Sequence, residues 1–193
     1  MTSELVTGAD GLARCGWGAA PPEYRDYHDT EWGHPVRDDV ALFEKLCLEG
    51  FQSGLSWLVI LRKRESFRRA FAGFDPQVLA GWGQREEARL LADAGIVRNR
   101  AKIAATIRNA RAMVALDQPL GELLWSFAPR VRPRPAAFAE LPATTPESKA
   151  MAKALKARGF TFVGPTTCYA LMQAVGMVDD HLAGCHTARL PAQ

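Results

Sequence analysis

No apolar run in this 193-residue chain is long enough to cross a bilayer. Stretches such as Trp57 to Leu61 fall far short of the roughly 20 residues that a membrane span needs. The first fifteen residues hold Glu4, Asp10 and Arg14 without an apolar core, so they lack the build of a signal peptide, and the expectation is a cytoplasmic, unprocessed chain with no membrane partner. An excess of one charge is lacking too. Lys and Arg number 24 against 21 Asp and Glu, a net +3, so no global basic field announces a nucleic acid, and local clusters must carry any such reading. Cysteine is scarce. Four of them, in a chain without a secretion signal, point to free thiols or metal ligands rather than a disulfide framework. Long period-two runs of β-branched residues are missing, which excludes a large sheet. There is no internal repeat and no low-complexity tract.

What is present is helical periodicity, with 48% hydrophobic residues to build a core. The fold class expected is all-α. Asp38 or Asp39 can cap a helix running through Leu42, Phe43, Leu46 and Cys47 to an end near Gly50. Ser56 can cap the next, which carries Trp57, Ile60, Leu61, Phe67 and Phe71 before stopping at Gly73. Further amphipathic helices are expected over residues 85–94, closed by Gly95, and 100–116. Thr145-Pro146 opens another, through Met151 and Leu155 to Gly159, and residues 166–175 form the last, ending at Gly176. The stretch 129–146 holds five prolines and reads as a rigid connection.

Cys15 and His28 stand near the start, and His181 and Cys185 stand near the end at i and i+4, on one face of a helical turn. Two thiolates and two imidazoles make a tetrahedral zinc set. Four protein ligands leave no open position for water, so the role would be structural. The 152 residues between His28 and His181 rule out a local finger, and His34 and His186 are available as substitute ligands. Cys47 and Cys168 lie on apolar helix faces, where packing is the ordinary role.

Between two expected helices lies Gly159-Phe160-Thr161-Phe162-Val163-Gly164-Pro165-Thr166-Thr167, an apolar turn that feeds a helix N-terminus. This is how a helix-hairpin-helix motif is built. A glycine turn lets backbone approach a phosphate, and free N–H groups at the helix start bind the anion without reading sequence, which makes Val163, Gly164 and Thr166 candidate DNA contacts. Phe162 stands where such hairpins place their first glycine, and an ordinary αα-corner with a Gly-Pro turn fits the same string. Lys149, Lys153, Lys156 and Arg158 precede the turn. Arg62, Lys63, Arg64, Arg68 and Arg69 form a second basic cluster, and either run can be no more than a solvated face.

The chain has five Trp and three Tyr, and five of these eight, Trp17, Tyr24, Tyr27, Trp32 and Trp57, fall within the first sixty residues. Near them Glu49 closes the apolar string Leu46-Cys47-Leu48-Glu49-Gly50. A carboxylate there is costly to bury without a polar or cationic partner. An alkylated purine is flat, cationic and carries donors, so it suits both the rings and the acid. Core packing is the commoner use of such aromatics.

The strings Arg14-Cys15-Gly16-Trp17, Tyr27-His28-Asp29-Thr30-Glu31-Trp32-Gly33, Leu48-Glu49-Gly50, Gly54-Leu55-Ser56-Trp57, Phe162-Val163-Gly164 and Asp180-His181 with Cys185 resemble, in the same order, the signature stretches of the 3-methyladenine DNA glycosylase I family. The resemblance spans roughly residues 13–187. It implies an all-α helix-hairpin-helix glycosylase of two packed helical subdomains over residues 14–187, whose termini are clipped by a structural Zn2+ on Cys15, His28, His181 and Cys185. Residues 1–13 look like an extension and 188–193 a tail, and His186 replaces what is often another cysteine.

By the same resemblance, Glu49 is the catalytic contact to a flipped base, Trp17, Tyr27 and Trp57 are stacking walls, Tyr24 stands behind them, and Leu55 fills the gap that the base leaves. The partner implied is duplex DNA containing alkylated adenine, with no nucleotide cofactor, and flipping one base asks for nothing beyond a monomer. The family lacks the catalytic aspartate of other hairpin glycosylases. No lysine occurs in residues 159–168 to form a Schiff base, which fits a monofunctional enzyme. Three other readings stay open: a glycosylase that also takes methylguanines, a non-catalytic damage-binding protein on the same scaffold, and a zinc-stabilised adaptor for protein partners.

Overall fold

The computed structural model describes residues 4–187; the expected tail and the first three residues of the extension lie outside the described residues. The order is β1 (Leu5–Thr7), β2 (Ala13–Cys15), α1 (Pro22–Thr30), α2 (Asp39–Gln52), α3 (Trp57–Ala70), α4 (Pro76–Ala80), α5 (Gln84–Ala92), α6 (Arg100–Val114), α7 (Leu120–Trp125), α8 (Pro146–Ala157) and α9 (Pro165–Ala174). No described helix is long and apolar enough to cross a membrane.

The mainly helical expectation holds, with corrections that have local causes. The residues read as an extension form an antiparallel hairpin, Leu5 opposite Cys15 and Thr7 opposite Ala13. Its strands are three residues long, too short to display an alternating pattern. Helices α4 and α7, of five and six residues, are shorter than two turns and carry no readable period. The cap of α7 comes from far away in the chain: the Asp39 carboxylate accepts the Leu120 and Gly121 N–H groups at 3.1 and 2.7 Å. Helix α1 is predominantly polar and begins after Pro21 without a side-chain cap, so neither periodicity nor capping marks it.

Other caps follow the sequence. Asp38 accepts the Ala41 N–H at 2.9 Å, and Thr145 and Ser148 close a capping box on α8. Ser56 does not do what its position suggests. It holds the N-cap site of α3 with no side-chain bond, and the Tyr24 hydroxyl instead accepts the Leu58 N–H at 2.8 Å, so α1 caps α3.

One contiguous apolar core runs from Leu42 to Val178. Helix α2 is central to it, packing on α3, α6, α7 and α9. Phe51, Phe67 and Phe71 meet in its middle, with ring centroids of the first pair 4.6 Å apart. A smaller cluster of Cys15, Leu182 and Cys185 lies where the two ends of the chain meet, packed by Leu5, Trp17 and Phe138. Gly176 ends α9 with φ +71, and a Cβ there would fall 2.7 Å from the Gly33 carbonyl oxygen, so the return of the chain past residues 33–35 requires glycine. The proline-rich connection has no regular element apart from a 3-10 turn at Phe138–Glu140. It straps the C-terminal segment: Arg134 pairs with Asp179 at 2.8 Å and donates to the Cys185 and Thr187 carbonyls.

The turn between α8 and α9 carries two left-handed residues, Gly159 at φ +89 and Phe162 at φ +56. Phe162 therefore adopts the backbone that a glycine would have given that position, at a steric cost. Asn109 of α6 pins the turn, accepting the Thr161 N–H at 2.8 Å and donating to the Thr161 carbonyl at 3.0 Å. Replacing Asn109 with Ala strands both backbone groups in a partly buried turn. The expected loss is about 2 kcal/mol of unfolding free energy, read from the shift of a urea transition at constant slope; an unchanged midpoint would show that the turn holds itself.

Candidate functional site

A cavity of about 340 Å3 opens between α1, α2, the start of α3 and α9, lined by Trp17, Tyr24, Tyr27, Trp32, Glu49, Gln52, Ser56, Trp57, Ala170 and Gln173. That volume falls within the roughly 300–1,000 Å3 of small-molecule sites. Residues 22–30 and 57–70 are helices whose facing turns bring Tyr27 and Trp57 to 5.3 Å between ring centroids, while Trp17 meets Tyr24 and Trp32 edge-on at 5.9 and 5.0 Å. All four residues read as base-binding, Trp17, Tyr24, Tyr27 and Trp57, are thus on one cavity. Tyr24 has its hydroxyl committed to α3, and Trp57 Nε1 is a buried donor without an acceptor among the described residues.

Glu49, in the last full turn of α2, lies in the same wall and is only 6% exposed. No hydrogen bond to its carboxyl occurs among the described residues. Burial pushes it up to about 8, against the pull of Lys45 one turn earlier. Lys45 is itself pushed down, first by burial; it stands 3.8 Å from Glu31 and over the Tyr27 ring at 5.7 Å, and it is not among the residues lining the cavity. The same burial holds the Tyr27 phenol well above its usual value, with Glu49 and Glu31 adding to the effect. The site is apolar on its walls and starved of positive charge around one acid. A flat cation would supply what Glu49 lacks.

Next to this cavity the predicted ligand set converges. Cys15, His28, His181 and Cys185 are all buried, their donor atoms within 4.8 Å of one another. Cys185 Sγ stands 3.5 Å from His28 Nε2 and 3.7 Å from His181 Nδ1, and Cys15 Sγ stands 3.8 Å from His181 Nδ1. With metal–sulfur and metal–nitrogen bonds of about 2.3 and 2.0 Å at tetrahedral angles, sulfur and nitrogen ligands should stand about 3.5 Å apart. The residues fit a tetrahedral ion.

Outer contacts fix each ring. Asp29 takes His28 Nδ1 at 2.7 Å and the Trp32 carbonyl takes His181 Nε2 at 3.2 Å, which leaves the opposite nitrogens to face the sulfurs. The Leu182 N–H and the Thr187 hydroxyl donate to the two sulfurs. The two thiols act on one another, which raises Cys15 and lowers Cys185 relative to the ordinary thiol range; a divalent ion between them would hold both as thiolates. Gly18 makes room for this packing, because a Cβ there would lie 2.5 Å from the His28 ring. His34 takes no part, and His186 is held in the outer ring by Asp29 at 3.0 Å.

The hairpin candidates divide. The Val163 side chain is 1% exposed and belongs to the core, so that residue can offer only its backbone to a partner. Gly164 occupies the N-cap of α9 with no side-chain cap, leaving the first-turn amides at Thr166 and Thr167 without intrahelical acceptors. Leu55 is 40% exposed beside Gly54 at φ +79, and Lys102 holds that loop by donating to the Phe51 and Ser53 carbonyls.

Of the two basic clusters, the one on α3 is largely paired: Arg62 with Glu23, Arg64 with Glu31, and Arg68 with Glu44 and Glu65, while Lys63 donates to the Ala94 and Gly95 carbonyls and Arg69 to the Ser66 hydroxyl. The one on α8 is not. Lys149, Lys153 and Lys156 are exposed and form no ion pair among the described residues.

Several site residues escaped the sequence reading. Gln173 and Ala170 line the cavity from a helix more than a hundred residues beyond Gln52 and Ser56. Asp29, Arg14 and Asp10 form a chain behind His28, with Arg14 Nε 2.9 Å from Asp29 and Arg14 NH2 2.7 Å from Asp10. Nothing in the spacing of these residues signals contact. Trp32 was visible as one of the clustered aromatics, and the structure gives it two tasks, lining the cavity and packing edge-on against His181 at 4.7 Å.

The model of the methyladenine glycosylase family matches residues 17–188. The chain is 48% identical over 180 residues to DNA-3-methyladenine glycosylase 1 of Escherichia coli, covering 90% of this chain and 96% of that one. A crystal structure of 3-methyladenine DNA glycosylase I superposes with a TM-score of 0.87 at 47% identity over 90% of this chain and 98% of that one. A variant of 3-methyladenine DNA glycosylase I, solved in complex with 3-methyladenine, superposes at 0.83 with 32% identity over 88% of this chain and 94% of that one.

The buried acid has a measurable signature. Because the fold raises Glu49 from an ordinary 4.5 to about 8, its contribution to stability is fully present below 4.5 and is lost as pH rises through 8. At about 1.4 kcal/mol per unit the change amounts to several kcal/mol. Unfolding midpoints of the wild type should fall relative to Glu49→Gln across that window and run parallel above it; midpoints parallel throughout would mean that the carboxyl is solvated or paired.

Proposed function

The chain belongs to the methyladenine glycosylase family, and on that premise we propose that it releases 3-methyladenine from alkylated duplex DNA by hydrolysis of the N-glycosidic bond. The observation that carries this reading is Glu49, a buried and unpaired carboxyl in a wall of Trp and Tyr rings. Duplex DNA docks through the backbone N–H groups at the start of α9, with Lys149, Lys153 and Lys156 near the phosphates. The damaged nucleotide turns out of the stack, Leu55 takes its place, and the base enters between Trp17, Tyr27 and Trp57.

A purine methylated at N3 is cationic, so its glycosidic bond is weak and the base departs neutral. The arriving cation draws Glu49 into its ionised form, and the carboxylate then stabilises the positive charge as the C1′–N bond breaks and charge moves from base to sugar; water adds to C1′ and gives its proton to solvent. No lysine lies in the hairpin, and Lys45 is engaged with Glu31, which supports a monofunctional enzyme without strand cleavage.

Cys15, His28, His181 and Cys185 would hold a zinc ion that supplies a structural clip between the ends of the chain. Protein produced with zinc should carry one ion per chain by elemental analysis, and chelation should lower its melting temperature by several degrees. Metal-free protein with the same melting temperature would remove the ion from the fold.

The activity is tested by chromatography of bases released from methylated duplex DNA. Wild type should release 3-methyladenine, and Glu49→Gln should do so about 10- to 100-fold more slowly, a smaller deficit than for enzymes facing a stable bond. Undiminished release by the variant would sink the role of Glu49. No release by wild type that still binds DNA would identify a damage-binding protein instead.

A further inference from the structure

Among the residues lining the cavity is one polar side chain whose orientation is dictated from behind. Gln173 of α9 donates its Nε2–H to Asp180 Oδ2 at 2.8 Å. Asp180 is wholly buried and already accepts from the Tyr169 hydroxyl at 2.5 Å and from Arg132 at 2.7 Å. A carboxylate so paired has only lone pairs to offer, so the Gln173 amide must present its NH2 to it. The alternative flip would set two acceptors against each other. The amide oxygen is thereby turned away from Asp180, and no donor meets it among the described residues; Gln173 lines the cavity, and Oε1 is the atom left free to face a ligand there.

We infer that Gln173, locked by Asp180, determines base specificity by offering a fixed acceptor to the exocyclic amino group of adenine. The inference rests on the glycosylase reading and deepens it. Adenine and guanine differ at C6, where adenine carries a donor NH2 and guanine an acceptor carbonyl. A fixed Oε1 pairs with the first and opposes the second, and a site built to pair a donor rejects an analogue that lacks it more strongly than shape alone allows. Glu49 answers the charge of an alkylated base, which methylated adenine and methylated guanine share, and can accept from its donors. Gln173 adds a second acceptor whose direction is fixed, and so sharpens the separation of the two. The lock matters because a free glutamine amide could rotate and serve guanine equally well.

The test compares release of 3-methyladenine and 3-methylguanine from one preparation of methylated duplex DNA. Gln173→Leu removes the acceptor at similar size, and Asp180→Asn keeps the glutamine but lets its amide turn. Gln173→Leu should lose on the order of tenfold in kcat/KM for 3-methyladenine, with 3-methylguanine release unchanged or raised, and Asp180→Asn should likewise lower the ratio of 3-methyladenine to 3-methylguanine release. A Gln173→Met variant and a titration of tryptophan fluorescence with each free base keep the question open to measurement if the leucine variant folds poorly. Equal losses for both bases, or an unchanged ratio in folded variants, would overturn the specificity role. Absence of any base release by wild type would instead overturn the glycosylase reading, and this inference with it.

Discussion

The convergence of Cys15 and His28 with His181 and Cys185 is the constraint on which the arrangement of the site depends. These four side chains come from the two ends of the chain and meet in a small cluster apart from the main core. What surrounds them is the wall of the cavity. Trp32 gives its carbonyl to His181 and its ring to the cavity. Trp17 packs edge-on against the His28 ring at 5.2 Å while lining the same space. Asp180, next to His181, sets Gln173. If the ends parted, three of the cavity's walls would lose their backing while the core around α2 would keep its own packing.

Around that junction the fold shows a consistent division between neutralised and unneutralised charge. Arg14, Arg132 and Arg134 are each met by aspartates, and Arg62, Arg64 and Arg68 of α3 by glutamates. Among the described residues, neither Glu49 inside the cavity nor Lys149, Lys153 and Lys156 of α8 outside it has an ion-pair partner. Burial of an acid costs free energy that a paired acid would not. Its burial among aromatic rings suits the cavity to a cationic ligand. The lysines of α8 precede the hairpin and suit that end of the molecule to an anion. The two demands match the two parts of an alkylated nucleotide, its charged base and its phosphate.

Helix α9 joins these demands mechanically. Its N-terminus, opened by Gly164 and Pro165, carries amides without intrahelical acceptors, and two turns later Gln173 reaches the cavity. The end of the hairpin and one wall of the cavity therefore belong to one helix of ten residues. Asn109 holds the turn before it and Asp180 holds the side chain near its end, so neither needs to reorganise when DNA docks.

The sequence alone determined the helical class, most helix stops, the four converging ligands and the aromatic set with its acid. These are properties of spacing, residue type and local backbone, and the signature strings keep them in short segments. Tertiary structure decided what distance in sequence conceals. The hairpin of β1 and β2 and the short helices fall below the length at which a period can be read. Tyr24 displaced Ser56 as the cap of α3, and Asp39 capped α7 instead of its own helix, because a cap needs only an oxygen at the right place, whatever its position in the chain. Val163 turned inward, since the hairpin needed an anchor in the core. The two basic clusters read alike as strings, and only packing showed that one is largely paired. Gln173 came to the cavity because α9 packs against α2, a contact between helices more than a hundred residues apart, which no local pattern encodes.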